Sequence, residues 1–224
     1  NIATTTDLGT PSYVIPVSRA KMYVADKYST DLTVVDLDTH KKTGTITMQG
    51  TRSTGTPNMT VYGNRAAVFG KYCYTFNWVG GTEIFKIDMT TDKHVATLNV
   101  TMEPNSLAVD KNGNLWVASD GRNWTTYEHE KAALTKIQLS DFTIKDVYEV
   151  SDIDAELKQL TINGAGDTLY FLRHSTDSGT WTYKGGGLMQ MKITDSQLPA
   201  TEFIVDTSGI FYGIGIDPVT SQIY

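Results

Sequence analysis

A single cysteine, Cys73, stands among 224 residues, so an intrachain disulfide and a cysteine zinc cluster are both excluded. No stretch of about 18 apolar residues occurs, the length that carries a helix across a bilayer. Lys and Arg are never clustered. The 19 basic and 25 acidic residues leave a net charge of −6. Nucleic acid and anionic membrane both reward concentrated positive charge, so neither is expected as the main partner. Asn1-Ile2-Ala3-Thr4 does not read as a signal peptide, because no basic segment precedes an apolar one. Long Ala/Leu/Glu/Lys segments are missing too. Only Asp152 to Gln159 has a helical look, and it predicts a short connector capped by Asp152.

What is present is strand chemistry. Short runs rich in β-branched and aromatic residues end at turn clusters, as in Lys21-Met22-Tyr23-Val24-Ala25-Asp26 and Leu32-Thr33-Val34-Val35-Asp36. Three segments begin alike: Gly9-Thr10-Pro11-Ser12, Gly55-Thr56-Pro57-Asn58 and Met102-Glu103-Pro104-Asn105, with the prolines 46 and 47 residues apart. After each comes a short strand, then a second over Lys21 to Asp26, Arg65 to Gly70 or Asn114 to Ser119. Third strands end in Val34-Val35-Asp36-Leu37, Phe85-Lys86-Ile87-Asp88 and Thr135-Lys136-Ile137-Gln138, and alternating fourth strands follow. A period of about 40 to 50 residues with four strands per unit predicts an all-β chain of β-propeller blades. A β-sandwich has no reason to repeat Thr-Pro-polar at that interval. The expected blades are 11–56, 57–103, 104–156, 157–210 and a partial 211–224, which makes the ring incomplete.

Gly9-Thr10-Pro11-Ser12-Tyr13-Val14-Ile15-Pro16-Val17-Ser18, leading to Tyr23-Val24-Ala25-Asp26, resembles the YVTN-type propellers, as does Pro104 through Val117. Asn163-Gly164, Asp167-Thr168-Leu169-Tyr170, Leu198-Pro199-Ala200 and Tyr212 through Thr220 follow in an order that looks like the BtuG-type group. These are cell-surface propeller lipoproteins of Bacteroides-type bacteria. The resemblance implies seven blades and non-enzymatic capture of cobalamin. It also implies delivery to a TonB-dependent outer-membrane transporter, and a lipid anchor on a segment ahead of Asn1. No catalytic cofactor is implied; the corrinoid is the ligand. The family's Gly-Tyr-rich stretch after Asp120-Gly121 is replaced here by Arg122-Asn123-Trp124-Thr125-Thr126-Tyr127.

The site follows from loop lengths. First-to-second and third-to-fourth turns are short, as in Gly63-Asn64 and Asp38-Thr39-His40-Lys41, so one face is trimmed to turn residues. The second-to-third connections lengthen instead, from Lys27–Thr30 to Lys71–Gly81, Asp120–Lys131 and Arg173–Gly187. They hold Tyr72, Tyr74, Phe76, Trp78, Trp124, Tyr127, Trp181 and Tyr183, including three of the four tryptophans. Tyr and Trp give stiff, amphipathic contact area at low entropic cost. Asn77, Arg122, Asn123, Arg173, His174 and Gln190 lie among or beside them as hydrogen-bonding partners. The competing reading is that the aromatics pack beneath their own loops.

Other groups weigh less. Glu128-His129-Glu130 reads as a charged rim, and His40 and His94 as matching turn residues. Asp26, Asp36, Asp88 and Asp120 read as turn acceptors. Asn58-Met59-Thr60, Asn99-Val100-Thr101 and Asn123-Trp124-Thr125 match the glycan-acceptor pattern. Three classes stay open: a ligand-binding propeller, a protein- or glycan-docking propeller, and a metal-dependent propeller lactonase or hydrolase. The last needs acids aimed at the axis, for which only Glu103 and Asp217 are candidates among inner strands led by Val14, Ile15, Val61, Leu107, Val109, Leu160 and Ile162. No metal site is therefore expected.

Overall fold

The computed structural model describes residues 8–26, 31–48, 66–78, 80–123, 126, 128–177, 179–180, 182–209 and 211–224. They form four antiparallel sheets of four strands each, every sheet a meander taken in chain order. The first is β1 (Pro11–Pro16), β2 (Lys21–Asp26), β3 (Asp31–Asp36) and β4 (Lys41–Thr47). The second is β5 (Ala66–Phe69), β6 (Tyr72–Phe76), β7 (Glu83–Asp88) and β8 (Lys93–Asn99). The third is β9 (Pro104–Val109), β10 (Asn114–Ser119), β11 (Ala133–Gln138) and β12 (Thr143–Glu149). The fourth is β13 (Ala155–Ile162), β14 (Thr168–Thr176), β15 (Tyr183–Lys192) and a short β16 (Ile204–Val205).

The all-β propeller architecture follows from how these sheets stack. The period of two along a strand sends neighbouring side chains to opposite faces. Cys73 therefore packs with Tyr23, Leu32 and Val34 of the first sheet, while Tyr74 packs with Leu107, Leu115 and Val117 of the third. Trp116 in turn meets Leu157, Leu169 and Phe171 of the fourth. Each fully buried apolar side chain contributes about 1.5–3 kcal/mol, and a blade gains it only against a neighbour. One aromatic recurs at the third position of every second strand: Tyr23, Tyr74, Trp116 and Tyr170, all buried.

Polar links tie neighbouring sheets at both ends. Lys21 Nζ donates to Met89 O at 2.6 Å, and Tyr23 Oη donates to Asp92 at 2.5 Å. Asn105 Nδ2 donates to Leu157 O at 2.7 Å, and Leu160 N donates to Ser106 Oγ at 2.8 Å. Third and fourth strands are joined by four-residue turns whose last residue is left-handed: His40 (φ 58°), Asp92 (53°) and Phe142 (54°). Each outer ladder then shifts register, at Val34/Val35, Lys86/Ile87 and Lys136/Ile137.

Four sequence expectations are corrected. Arg65–Gly70 is not a second strand: Ala66–Phe69 is the first strand of its sheet, and Tyr72–Phe76 is the second. The two-residue turn Gly70-Lys71, with Gly70 at φ 59°, separates them. Asp152–Gln159 is not helical; most of it is β13. A bulge there, with Gln159 at φ 57°, adds one residue between Leu157 and Leu160, so both face inward at a helix-like spacing. Arg173–Gly187 is not one long loop either, because β14 and β15 extend into it as a ladder from Arg173↔Gly187 to Thr176↔Tyr183. His94 lies in β8, not in a turn. The Gly55–Asn58 segment, Val61, the Gly63-Asn64 turn and the Lys27–Thr30 loop lie outside the described residues.

Candidate functional site

The ends of the sheets that carry the second-to-third connections meet around a cavity of about 400 Å³. Trp78 comes from the turn after β6, Asn105 and Asp120 from the third sheet, and Lys158, Gln159, Leu172 and His174 from the fourth. Gly209, Phe211 and Tyr212 close it from the segment after β16. Its size falls within the range of about 300–1,000 Å³ usual for small-molecule sites.

The floor is held by buried polar groups. Asn77 Nδ2 donates to Glu83 Oε2 at 3.1 Å, and Gly81 N donates to Trp78 O at 2.9 Å, closing the turn that presents Trp78. A Cβ on Gly81 would stand 2.4 Å from Asn77 O, so only glycine permits this turn. Glu103, fully buried at φ 58°, stitches the second and third sheets. Its Oε1 accepts from Gly80 N at 2.7 Å, its own N–H donates to Gly81 O, and its carbonyl accepts from Asp120 N. Behind Asp120 lies Arg122, 2% exposed, with Nη1 3.4 Å from Glu156 Oε1. Glu156 is buried as well and also pairs with Lys158 at the cavity wall. Asn123 is buried beside Gly80, and its Oδ1 accepts from Thr126 N at 3.0 Å.

His174 is mostly buried, with Nε2 3.5 Å from Asp206 Oδ2. Burial drives its pKa below the ordinary 6.5, and the Asp206 carboxylate opposes that shift without cancelling it. Asp206 itself organises the segment that follows: Oδ1 accepts from Ser208 N and Gly209 N, and Oδ2 from Phe211 N. Tyr183 stands edge-on to His174 and donates from its hydroxyl to Asp206 O at 2.8 Å.

The expected site residues therefore separate. Trp78 and His174 line the cavity, with Arg122 and Asn123 packed behind it and Tyr183 behind His174. Tyr72, Tyr74 and Phe76 are not loop residues and do not line it. Tyr74 and Phe76 are core, and Tyr72 lies under the ammonium groups of Lys86 and Lys71. Asn77 is buried as a turn anchor, and Gln190 donates to the Tyr170 hydroxyl. Arg173, next to His174 on β14, points to the other face and pairs with Glu202. Trp124, Tyr127 and Trp181 lie outside the described residues.

Asn105, Glu156, Lys158 and Asp206 were not singled out by sequence. Asp206-Thr207-Ser208-Gly209 carries a readable turn signature; the helix-like spacing around the bulge in β13 hides Glu156 and Lys158. Of the two candidate axial acids, Glu103 accepts from Gly80 N through Oε1, and Asp217 caps a turn through Val219 N and Thr220 N. Glu128, His129 and Glu130 form an exposed rim. Asp26, Asp36, Asp88 and Asp120 accept from backbone N–H groups, as expected. Cys73 is buried, and desolvation pushes its thiol up to about 12. Among the described residues, no group of three or more His, Cys, Asp and Glu side chains is placed to hold a metal ion.

No protein-family model matches the chain, and no curated protein matches it. Among solved structures it is similar to the hydrazine synthase of Kuenenia stuttgartiensis, at 13% identity and a TM-score of 0.47, over 99% of this chain and 74% of that one.

Proposed function

We propose that the protein is a non-enzymatic ligand-capturing propeller whose binding face is the end of the sheets around Trp78 and His174. The observation that supports this reading is convergence. Side chains from three sheets and from the segment after β16 meet at one open cavity with an apolar part, Trp78, Leu172, Phe211 and Tyr212, and a polar part, Asn105, Asp120, Lys158, Gln159 and His174. Few, well-placed polar groups in an apolar recess are the usual composition of a small-molecule site. The ligand class comes from the resemblance to the BtuG-type propellers: a corrinoid, passed on to a TonB-dependent outer-membrane transporter by a protein anchored at the cell surface. A corrinoid macrocycle with its amides exceeds the cavity, so it lies across the mouth with only a part of it entering.

Calorimetry with cyanocobalamin tests this reading, with haem as the comparison. Saturable binding of cyanocobalamin that survives EDTA is expected. Undetectable binding removes the corrinoid, and loss of binding on chelation, with the fold intact, removes the metal-free mechanism.

A further inference from the structure

A second recess lies away from the first, in the crevice between the third and fourth sheets, with a volume of about 720 Å³. Its floor is apolar: Val150, Leu157, Phe171 and Met189, all buried. Leu198 and Pro199 form one wall and Val147 and Tyr148 of β12 the other. Its lip is polar: Asp152, Arg173, Ser175, Lys184 and Glu202. Backbone alone continues the surface at Gly185 and Gly186. A Cβ on Gly186, at φ 148°, would stand 2.0 Å from Arg173 O, so no side chain fits there.

Both cations on this lip are already paired, and its Asp152 carboxylate is hydrogen-bonded. Arg173 pairs with Glu202, Lys184 Nζ lies 2.6 Å from Asp154 Oδ2, and Ser175 Oγ donates to Asp152 Oδ2 at 2.5 Å. An incoming ion would have to compete with these partners, and an apolar molecule would strip water from them without replacing it. A neutral polyhydroxylated molecule does neither. A guanidinium carries five N–H donors and a carboxylate about four acceptor positions, so each pair keeps capacity for hydroxyl groups. The partly exposed apolar walls, Val147, Tyr148, Leu198 and Pro199, suit the C–H face of a sugar ring.

We propose that this crevice is a binding site for a neutral oligosaccharide, separate from the cavity at Trp78 in position and in ligand. Calorimetric titration of the full chain with maltotriose, cellotriose and chitotriose tests it, with trigalacturonate as the charged comparison. At least one neutral sugar is expected to bind saturably. Ala200→Trp, which fills the mouth from an exposed position, should abolish that binding. Arg173→Met should weaken it at least tenfold, and Trp78→Ala should leave it unchanged. Circular dichroism confirms that each variant is folded. Tighter binding of trigalacturonate than of every neutral sugar overturns the proposal, as does no binding of any neutral sugar at 10-fold excess over millimolar protein, roughly the millimolar floor of useful affinity. Binding that survives Ala200→Trp overturns the location. Cyanocobalamin binding is scored separately, at Trp78, so either site can fail without the other.

Discussion

The guanidinium of Arg122 and the carboxylate of Glu156 face each other at 3.4 Å, with both side chains almost closed to solvent. Arg122 belongs to the connection after β10 and Glu156 to β13, so the pair joins the third sheet to the fourth directly behind the candidate cavity. Lys158 shares the same carboxylate from the cavity wall.

Removing one member of a buried pair leaves the other charge uncompensated, at a typical cost of about 3–5 kcal/mol. Glu156→Gln leaves two cations without their carboxylate, whereas Arg122→Met leaves Glu156 still paired with Lys158. Glu156→Gln should therefore destabilise the protein more than Arg122→Met does. Urea unfolding of both variants measures the order, and the reverse order would show that Lys158 does not share in holding the carboxylate.

His174 supplies a pH dependence with a defined sign. Its pKa in the folded chain is lowered by burial, so between that value and the ordinary 6.5 the unfolded chain binds more protons. The contribution to stability is complete above pH 6.5 and is lost as the pH falls through this window. The wild-type chain should lose more stability between pH 7.5 and 5.5 than His174→Gln does. Equal losses in urea titrations at the two pH values would mean that His174 titrates normally.

Trp78 and Phe76 lie two residues apart and should behave differently. Phe76 is fully buried, and Phe76→Ala should cost about 3–5 kcal/mol through the cavity it leaves. Trp78 lines the open recess, and Trp78→Ala should weaken cyanocobalamin binding roughly 5- to 150-fold, the range for losing about 1–3 kcal/mol of contact. Thermal unfolding and calorimetry on both variants separate the roles. A Trp78→Ala protein that binds normally would remove the proposed face.

The repeated strand pattern was legible because burial on both faces of each sheet demands it. The shared proline motif was a poorer ruler than the aromatic at Tyr23, Tyr74, Trp116 and Tyr170, which marks the second strand directly. Counting from Pro57 displaces the second sheet by one strand, which puts Tyr72, Tyr74 and Phe76 in a loop when they belong to β6. Trp78 and His174 both line the cavity, but only Trp78 does so from a connection; His174 lies within β14, where the loop reading of Arg173–Gly187 does not hold. Glu156 and Lys158 were not legible, because a bulge at Gln159 makes a strand look like one helical turn. The crevice beside Arg173 was invisible as well, since its walls come from sheets that only packing brings together.

β14 is a partition with a different room on each side. Arg173 opens onto one recess and His174 onto the other because they are consecutive in an extended strand. Inserting a single residue upstream in β14 would swap their sides, putting an imidazole in the crevice and a guanidinium against Asp206. The spacing from Thr168 to Thr176 is therefore constrained twice over, and neither recess can be re-lined by a frame change in that strand without altering the chemistry of the other.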